Sequence, residues 1–452
     1  MRTIIKNGVT FHRPTWEVGP VNLKIRDGVI EQVSRNEIKS DPGDQVFDLQ
    51  GRLLVPGFVD SHTHLAQSFG RGIYDNVHLT RWLNYLVYFF DLTPEENYVA
   101  VMLGCIEALR SGTTSLAEMT TLGEWGEIAI KAIADSGLRG VVCTTMGDYQ
   151  EGDNLPPDRN ANQALAEAER IFKNWHGTMD GRITMRISPV GLPACTEELM
   201  RGSRALANQL GVGLHTHCSE GETETANALE RFGQSEVEVI ARCGVVGPDT
   251  QLVHCIWLTE GDRKLIAETG SHVVTCPSTN TKITDGMPPM PPLYKLGVNI
   301  AIGCDGAASS GTYDMLQEAR MVSLLGKISS NEADMFPAEE VFQMMTENGA
   351  RAIGLQGVVG LIEPGYRADL TVIDYPQAHL IDEKRLMSNL VFNATGKDVD
   401  SVFVDGKPLI WRGEFTHLDV EAITAHALEL MRKGNHLYPR PEELREVRKA
   451  IK

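Results

Sequence analysis

The sequence has no pair of cysteines at the CxxC spacing that zinc ribbons and thiol redox motifs use. Its eight cysteines are scattered, and most stand in apolar runs, so they are predicted to be reduced, buried thiols. No apolar run is long enough to span a bilayer, and the N-terminal stretch turns polar too early for a secretory signal. We therefore expect a cytoplasmic protein.

Positive charge is scarce as well. The 42 lysines and arginines face 60 aspartates and glutamates, which gives a formal net charge of −18. Such a surface repels phosphate backbones and anionic lipid headgroups, so neither nucleic acid nor a membrane is an expected partner. A small-molecule substrate is compatible with this charge, and 452 residues suffice for one large domain and a smaller one.

In the middle of the chain, short β-branched runs alternate with longer helical patterns. The predicted strands are 57–64, 113–119, 139–146, 183–190, 212–218, 251–255, 271–277 and 299–305. Helical candidates between them include 94–110, 124–136, 161–175, 196–210, 235–243 and 314–327. This alternation favours an α/β fold with a (β/α)8 barrel, in which reactive side chains stand at the carboxyl ends of the strands.

Both ends of the chain have a different pattern from the middle. They show short predicted strands of alternating hydrophobicity, separated by Asn-Gly and Asp-Gly turns. We predict that residues 1–55 and 358–420 together form a small β-sandwich domain. The barrel would then comprise residues 56–357, and residues 421–452 would form a C-terminal helical tail.

Histidine or aspartate ends four of the predicted barrel strands. The residues are His62 and His64 on the first strand, His215 and His217 on the fifth, His254 on the sixth and Asp305 on the eighth. Either histidine of the fifth strand could be a ligand, because both share one face. Each alone fits a structural role, but buried ionisable groups that converge on one barrel mouth require a countercharge. Imidazoles with a carboxylate suit Zn²⁺, and also Fe²⁺, Mn²⁺ or Co²⁺.

The chain resembles the amidohydrolase superfamily, in its branch of cytosine deaminases, chlorohydrolases and methylthioadenosine/S-adenosylhomocysteine deaminases. The motifs VPGFVDSHTH, LVHC, CPSTNTKITDGMPP, GCDGAASSGTYDMLQEAR and GLIEPGYRADLTVID occur in the family's order. The resemblance implies that one divalent metal ion per subunit is bound by His62, His64, His217 and Asp305.

The same resemblance implies that Glu220 shuttles protons, that His254 sits beside the activated water and that Asp305 accepts a proton from it. It selects His217 over His215 by the spacing to Glu220. Binuclear relatives use a lysine on the fourth strand, and RITMRISPV has none, so a mononuclear site is expected.

Two segments depart from the nucleoside-deaminating relatives. SPVGLPACT lacks the histidine of their PHSPY-like segment, and RWLNYLVYFFDLTPEE lacks their ribose-binding glutamate. Each pocket candidate also fits ordinary packing or solvation. The candidates are Arg71, Trp82, Tyr85, Phe89, Phe90 and Leu192.

The predicted activity is therefore that of a hydrolase acting on non-peptide carbon–nitrogen bonds, as a hydrolytic deaminase of an N-heterocyclic compound. Alternatives are hydrolysis of a xenobiotic urea, thiocarbamate, amide or chloro-triazine, and deamination of methylthioadenosine or S-adenosylhomocysteine. A metal-free scaffold protein is a further alternative, although such proteins lose ligand residues and this chain keeps them. The resemblance also implies a homodimer or a higher homo-oligomer.

Overall fold

The computed structural model describes residues 2–73, 75–79, 82–83, 92–149 and 159–434. Its strands in chain order are β1 (Arg2–His12), β2 (Glu17–Arg26), β3 (Val29–Ser34), β4 (Gln45–Asp48), β5 (Leu53–Pro56), β6 (Phe58–Thr63), β7 (Thr113–Thr121), β8 (Arg139–Met146), β9 (Ile183–Pro189), β10 (Leu214–Cys218), β11 (Thr250–His254), β12 (His272–Thr275), β13 (Ile300–Ile302), β14 (Leu370–Ile373), β15 (Val399–Val404), β16 (Lys407–Trp411) and β17 (Glu414–Phe415). They belong to two separate sheets.

Strands β6 to β13 form the first sheet, in which sequence neighbours lie side by side and pair in parallel. The two edges of this sheet meet just beyond β13, where Thr63 and Asp305 form a parallel bridge. The amide of Asp305 donates to the carbonyl oxygen of His62 over 2.8 Å. The eight strands therefore form a nearly closed barrel, which confirms the predicted fold class.

Helices follow most of the barrel strands. They span Pro94–Arg110, Glu124–Ser136, Ala161–Trp175, Glu197–Leu210, Glu222–Phe232, Glu236–Arg242, Glu260–Thr269, Pro277–Lys282, Met290–Lys295, Met315–Ser330, Ala338–Met344, Glu347–Ala352, Leu386–Asn393 and Val420–Lys433. The first begins sharply because Thr93 and Glu96 form a capping box, with reciprocal bonds of 3.3 and 2.8 Å. Within the described ranges, no helix is long and apolar enough to cross a membrane.

The second sheet has nine strands and combines both ends of the chain, in the order β17-β16-β15-β14-β5-β1-β2-β3, with β4 paired to β1. The antiparallel pairing of β5 with β14 joins the N-terminal strands to the C-terminal ones. Its core contains Leu23, Leu54, Val372 and Phe403, all fully buried. Strands from both termini thus build the smaller β-domain, while the domain limits at residues 55 and 358 stay predictions.

A buried ion-pair cluster connects this sheet to the barrel. The guanidinium of Arg139, at the start of β8, donates to Asp369 over 2.7 and 3.1 Å and also binds Asp405. Side-chain exposure is 3% for Arg139 and 1% for Asp369, so the pair is shielded from solvent. The two carboxylates outweigh the effect of burial and raise the pKa of Arg139.

The C-terminal helix Val420–Lys433 begins one residue before the predicted tail. Ala427 is buried against an apolar cluster that includes Phe69, Val99 and Ala100. The helix therefore packs on Pro94–Arg110 and on the turn after β6. The rest of the predicted tail, residues 435–452, lies outside the described residues.

Candidate active site

The barrel brings the predicted strand-end ligands together. His62, His64 and His217 each place a ring nitrogen within 4.8 Å of the others, and Asp305 with His254 forms a similar group around His62. The Nε2 atoms of His62 and His64 lie 3.6 and 3.7 Å from Oδ1 of Asp305. Ligands about 2.1 Å from one tetrahedral ion lie about 3.4 Å apart, so both separations are close to those around a shared cation.

Hydrogen bonds orient the three imidazoles. Nδ1 of His64 donates to the carbonyl of Met119 over 2.9 Å, and Nδ1 of His217 donates to the carbonyl of Val190 over 2.7 Å. Both rings therefore keep the Nε2 lone pair for a metal, as second-shell partners of metal-bound histidines do. Among the described residues, the fully buried Nε2 of His62 has no hydrogen-bond partner, which a bound cation would supply.

His215 lies behind His62 and not beside His217. Its Nε2 is 3.0 Å from Nδ1 of His62, and its own Nδ1 is 2.9 Å from Sγ of Cys143. All three side chains are fully buried. The geometry thus separates the two histidines of β10: His217 belongs to the ligand cluster, and His215 supports His62.

The electrostatics of the cluster suit cation binding. Burial lowers the pKa of His62 to about 4 and holds the pKa of His217 well below its ordinary value, so both rings are in the neutral form that can bind a metal. Burial opposes ionisation of Asp305, but the imidazoles of His62 and His64 outweigh it and hold its pKa low. The charged carboxylate and neutral rings are the protonation states that a metal requires.

A second group adjoins the first. Oε1 of Glu220 lies 3.4 Å from Nε2 of His254, whose Nδ1 donates to Oδ1 of Asn280 over 3.1 Å. Burial, with Asp285 and Glu224 nearby, raises the pKa of Glu220 well above its ordinary value. A raised pKa favours the protonated carboxyl group, which can act as a proton donor.

Sequence reasoning did not identify Asn280 or Asp285. Both belong to the CPSTNTKITDGMPP motif, which contributed to the family resemblance but was given no candidate site residue. Their position in the sequence could have identified them, because this segment follows the carboxyl end of a barrel strand, where reactive side chains stand. Burial, with the charges of Asp305 and Glu224, raises the pKa of Asp285 to about 8.

Backbone geometry at the strand ends is unusual. His254 and Asp305 adopt φ of 70° and 62°, and Ser219 adopts 50°, all in the left-handed region that non-glycine residues rarely occupy. Such conformations persist only where the surrounding structure fixes them, and they cluster at functional sites. They turn these side chains from the barrel wall towards its mouth.

The turn after β6 is fixed by a buried acid. Glu118, at the end of β7, accepts hydrogen bonds from the Thr63 hydroxyl over 2.7 Å and from the Leu65 amide over 3.0 Å. The hydroxyl of Tyr313 donates to the carbonyl of His64 over 2.8 Å. The backbone on both sides of His64 is therefore held, which positions its ring.

A cavity of about 950 Å³ opens above these groups. Its lining includes His64, His217, Glu220, His254 and Asp305, with Leu79, Trp82, Asn97, Leu122, Trp125, Arg159, Gly191 and Asn227 around them. The volume lies within the range of roughly 300–1,000 Å³ typical of small-molecule sites. The cavity can therefore hold a compact organic substrate with one end at the cluster.

The predicted substrate contacts are distributed unevenly. Trp82 lines the cavity, whereas Tyr85, Phe89 and Phe90 lie outside the described residues. Arg71 is paired with Glu107 on the helix Pro94–Arg110 and is absent from the described cavity lining. Leu192 is 2% exposed and packs in the barrel core, while its neighbours Gly191 and Pro193 face the cavity.

The chain belongs to the amidohydrolase family, whose model matches residues 53–409. It is 37% identical over 415 residues to the 5'-deoxyadenosine deaminase of Methanothermobacter thermautotrophicus, which covers 90% of this chain and 94% of that protein. It is 34% identical over 393 residues to the 5-methylthioadenosine/S-adenosylhomocysteine deaminase of Moorella thermoacetica, with coverage of 86% and 89%.

Among solved structures, an adenosine deaminase from Xanthomonas campestris with bound zinc superposes with a TM-score of 0.87. Its sequence is 27% identical, and the match covers 95% of this chain and 98% of that one. These findings confirm the predicted family, the hydrolase class acting on non-peptide carbon–nitrogen bonds, and hydrolytic deamination of an N-heterocycle. The zinc of that structure and the His/Asp cluster together support metal binding.

Proposed function

We propose that the protein deaminates adenine nucleosides altered at the 5′ carbon, replacing the amino group of the purine by oxygen and releasing ammonia. The observation that carries this proposal is the half-buried Glu220 carboxyl group on the cavity wall, 3.4 Å from His254 and beside the ligand cluster. Relatives that share most of their length with this chain are deaminases of 5'-deoxyadenosine and of 5-methylthioadenosine.

The ligand cluster fits one divalent ion, for which we propose zinc. His62, His64, His217 and Asp305 would hold it, consistent with the buried, unpartnered Nε2 of His62. When bound, the ion supplies a water whose pKa is lowered from about 16 towards 7.

The side chains around that water divide the proton transfers between them. Oδ1 of Asp305 accepts from the Gly306 amide over 2.8 Å, which fixes the carboxylate so that it can take up the water proton. Asn280 accepts from Nδ1 of His254, so the neutral ring presents an acceptor at Nε2 that orients the water. Protonated Glu220 then donates to the ring nitrogen. The proton taken up by Asp305 passes to the amino group, which leaves as ammonia, and the remaining proton of the former water returns to Glu220.

The segment SPVGLPACT lacks the histidine of nucleoside-deaminating relatives, so ribose recognition must use other groups. Asn97, Glu224 and Asn227 on the cavity lining offer hydrogen-bonding side chains for hydroxyl groups. The apolar lining around Leu79 and Trp82 suits an uncharged 5′ substituent. Cytoplasmic location and homo-oligomeric assembly stay predictions from the family resemblance.

An ammonia-release assay on zinc-loaded enzyme tests the proposal. The panel pairs 5'-deoxyadenosine, methylthioadenosine, S-adenosylhomocysteine and adenosine with guanine, a pterin, an amino-triazine and an arylurea. We expect the highest kcat/KM for the 5′-modified adenosines. Release from the triazine or the arylurea, with none from any adenosine derivative, would overturn the proposal.

The variant Glu220→Gln separates chemistry from metal binding. We expect kcat to fall by about 10²–10⁴-fold while zinc content stays unchanged, because the amide cannot donate the required proton. Glu222→Gln is the matched control, since Glu222 is an exposed residue at the start of the next helix. Equal activity of the two variants would remove Glu220 from the mechanism.

A further inference from the structure

We propose that Glu220, His254 and Asp285 form a second, weaker divalent-cation site beside the first, and that a cation bound there inhibits the enzyme. The three residues each place one ligand atom within 4.8 Å of the other two. None of them belongs to the four ligands proposed for the resident ion.

Asp285 provides the first observation. The residue is 2% exposed, yet neither carboxylate oxygen has a hydrogen-bond partner among the residues that the structure describes. Its backbone carbonyl, by contrast, accepts a hydrogen bond of 2.8 Å from Nε1 of Trp257. Buried carboxylates without a partner are rare in folded proteins, so this side chain is a candidate ligand for a cation.

The distances supply the second observation. Two ligands about 2.1 Å from a tetrahedral zinc ion lie about 3.4 Å apart. Nε2 of His254 and Oε1 of Glu220 are separated by 3.4 Å. The His254 ring is already oriented, because its other nitrogen is bonded to Asn280, so Nε2 is the atom available to an ion.

The donor set identifies the ligand class. One imidazole nitrogen and two carboxylates suit Zn²⁺ or Mn²⁺ and provide the negative charge that a divalent cation neutralises. Buried Asp285 and half-buried Glu220 are stabilised when a cation lies between them. The ion can enter through the substrate cavity, since Glu220 and His254 both line it.

Inhibition follows from shared atoms. An ion at this site occupies the Glu220 oxygen and the His254 nitrogen that the proposed deamination uses for proton transfer and water orientation. This part of the inference rests on the proposed function, whereas the binding site itself does not. Excess zinc should therefore bind without displacing the resident ion and should slow turnover.

Zinc stoichiometry tests the site without any substrate. Equilibrium dialysis of the full-length zinc enzyme against increasing zinc should give two ions per subunit for the wild type and one for Asp285→Asn. This substitution preserves side-chain shape and removes no hydrogen bond of the described chain. Glu318→Gln, which alters another fully buried acid bonded to the Ser278 amide, should retain two ions.

A wild type that saturates at one ion overturns the proposal, and so does a second ion that persists in Asp285→Asn. The number of zinc ions bound by the wild type tests the second site even if the Asp285→Asn variant does not fold. In turnover assays, the zinc concentration for half-inhibition should rise at least ten-fold in Asp285→Asn, and an unchanged value contradicts the inhibitory role. Failure of the substrate panel with two bound ions would reject the proposed function alone.

Discussion

Nδ1 of His62 lies 3.0 Å from Nε2 of His215, so these two buried rings must share one hydrogen between them. Nδ1 of His215 in turn meets the thiol of Cys143 at 2.9 Å. This chain of contacts fixes the rotation of the His62 ring and directs its Nε2 towards Asp305. His215 therefore acts on the proposed metal through His62, as a positioning residue.

Replacing His215 should weaken metal binding. We expect His215→Gln to lower zinc affinity by about 10–100-fold, the usual effect of removing a partner that orients a ligand. Chelator competition measures this affinity directly. His272→Gln is the matched control, because His272 is 3% exposed on barrel strand β12 but bonds to the carbonyl of Pro248. Equal affinities in the two variants would contradict the role of His215.

Gly303 allows His62 to approach the end of β13. A Cβ atom at residue 303 would lie 2.9 Å from Cβ of His62 and 3.0 Å from its backbone nitrogen and oxygen. We expect Gly303→Ala to displace His62, to cost about 1–3 kcal/mol of unfolding free energy and to reduce the zinc content. In the control Gly261→Ala, the nearest atom lies 3.6 Å away, and both quantities should be preserved.

Breaking the ion pair between the two sheets should destabilise the fold. Arg139→Met leaves Asp369 buried without its cation, whereas Asp405 keeps its pair with Arg367. We expect a loss of about 3–5 kcal/mol in denaturant unfolding. Lys264→Met removes a pair whose side chains are 57% and 73% exposed, so it should change the unfolding free energy much less. A similar small loss in both variants would show that the buried pair adds little to stability.

The metal-free protein should lose stability in mild acid. Burial lowers the pKa of His62 to about 4 from an ordinary 6.5. The unfolded chain therefore binds this proton first as the pH falls, and the stabilisation present above pH 6.5 is lost progressively towards pH 4. His62 alone should cost about 2 kcal/mol between pH 7 and pH 5. Chemical unfolding at both pH values measures the change, and an apoprotein that is equally stable at both contradicts it.

Much of the fold was predictable because capping residues and hydrophobic patterns in the sequence mark the limits of its helices and strands. The helices Pro94–Arg110 and Ala161–Trp175 have the predicted limits, since Thr93 and Asn160 form capping boxes that mark their starts. Strand ends were less predictable. Cys255 was assigned to a strand, but its φ of 52° turns the backbone out of the sheet after His254.

The hydrophobic periodicity of the strands predicts which side chains share a face, but it predicts no more of the site. Alternation places His215 and His217 on one face but does not give their depth, and two residues of strand separate them by about 6.6 Å along the barrel. Arg71 pairs with Glu107, a contact between distant residues that no local pattern reveals. Asp285 lies in a loop, where the sequence has no period to show which side chains turn inwards.

Two of the residues proposed to hold the ion, His62 and Asp305, also take part in closing the barrel. Thr63 and Asp305 bridge the first and last strands, and the Asp305 amide bonds to the backbone of His62. Because these contacts use backbone atoms, the seam between the first and last strands sets the spacing of two proposed ligands. Any loosening of this seam would therefore displace both of them at once.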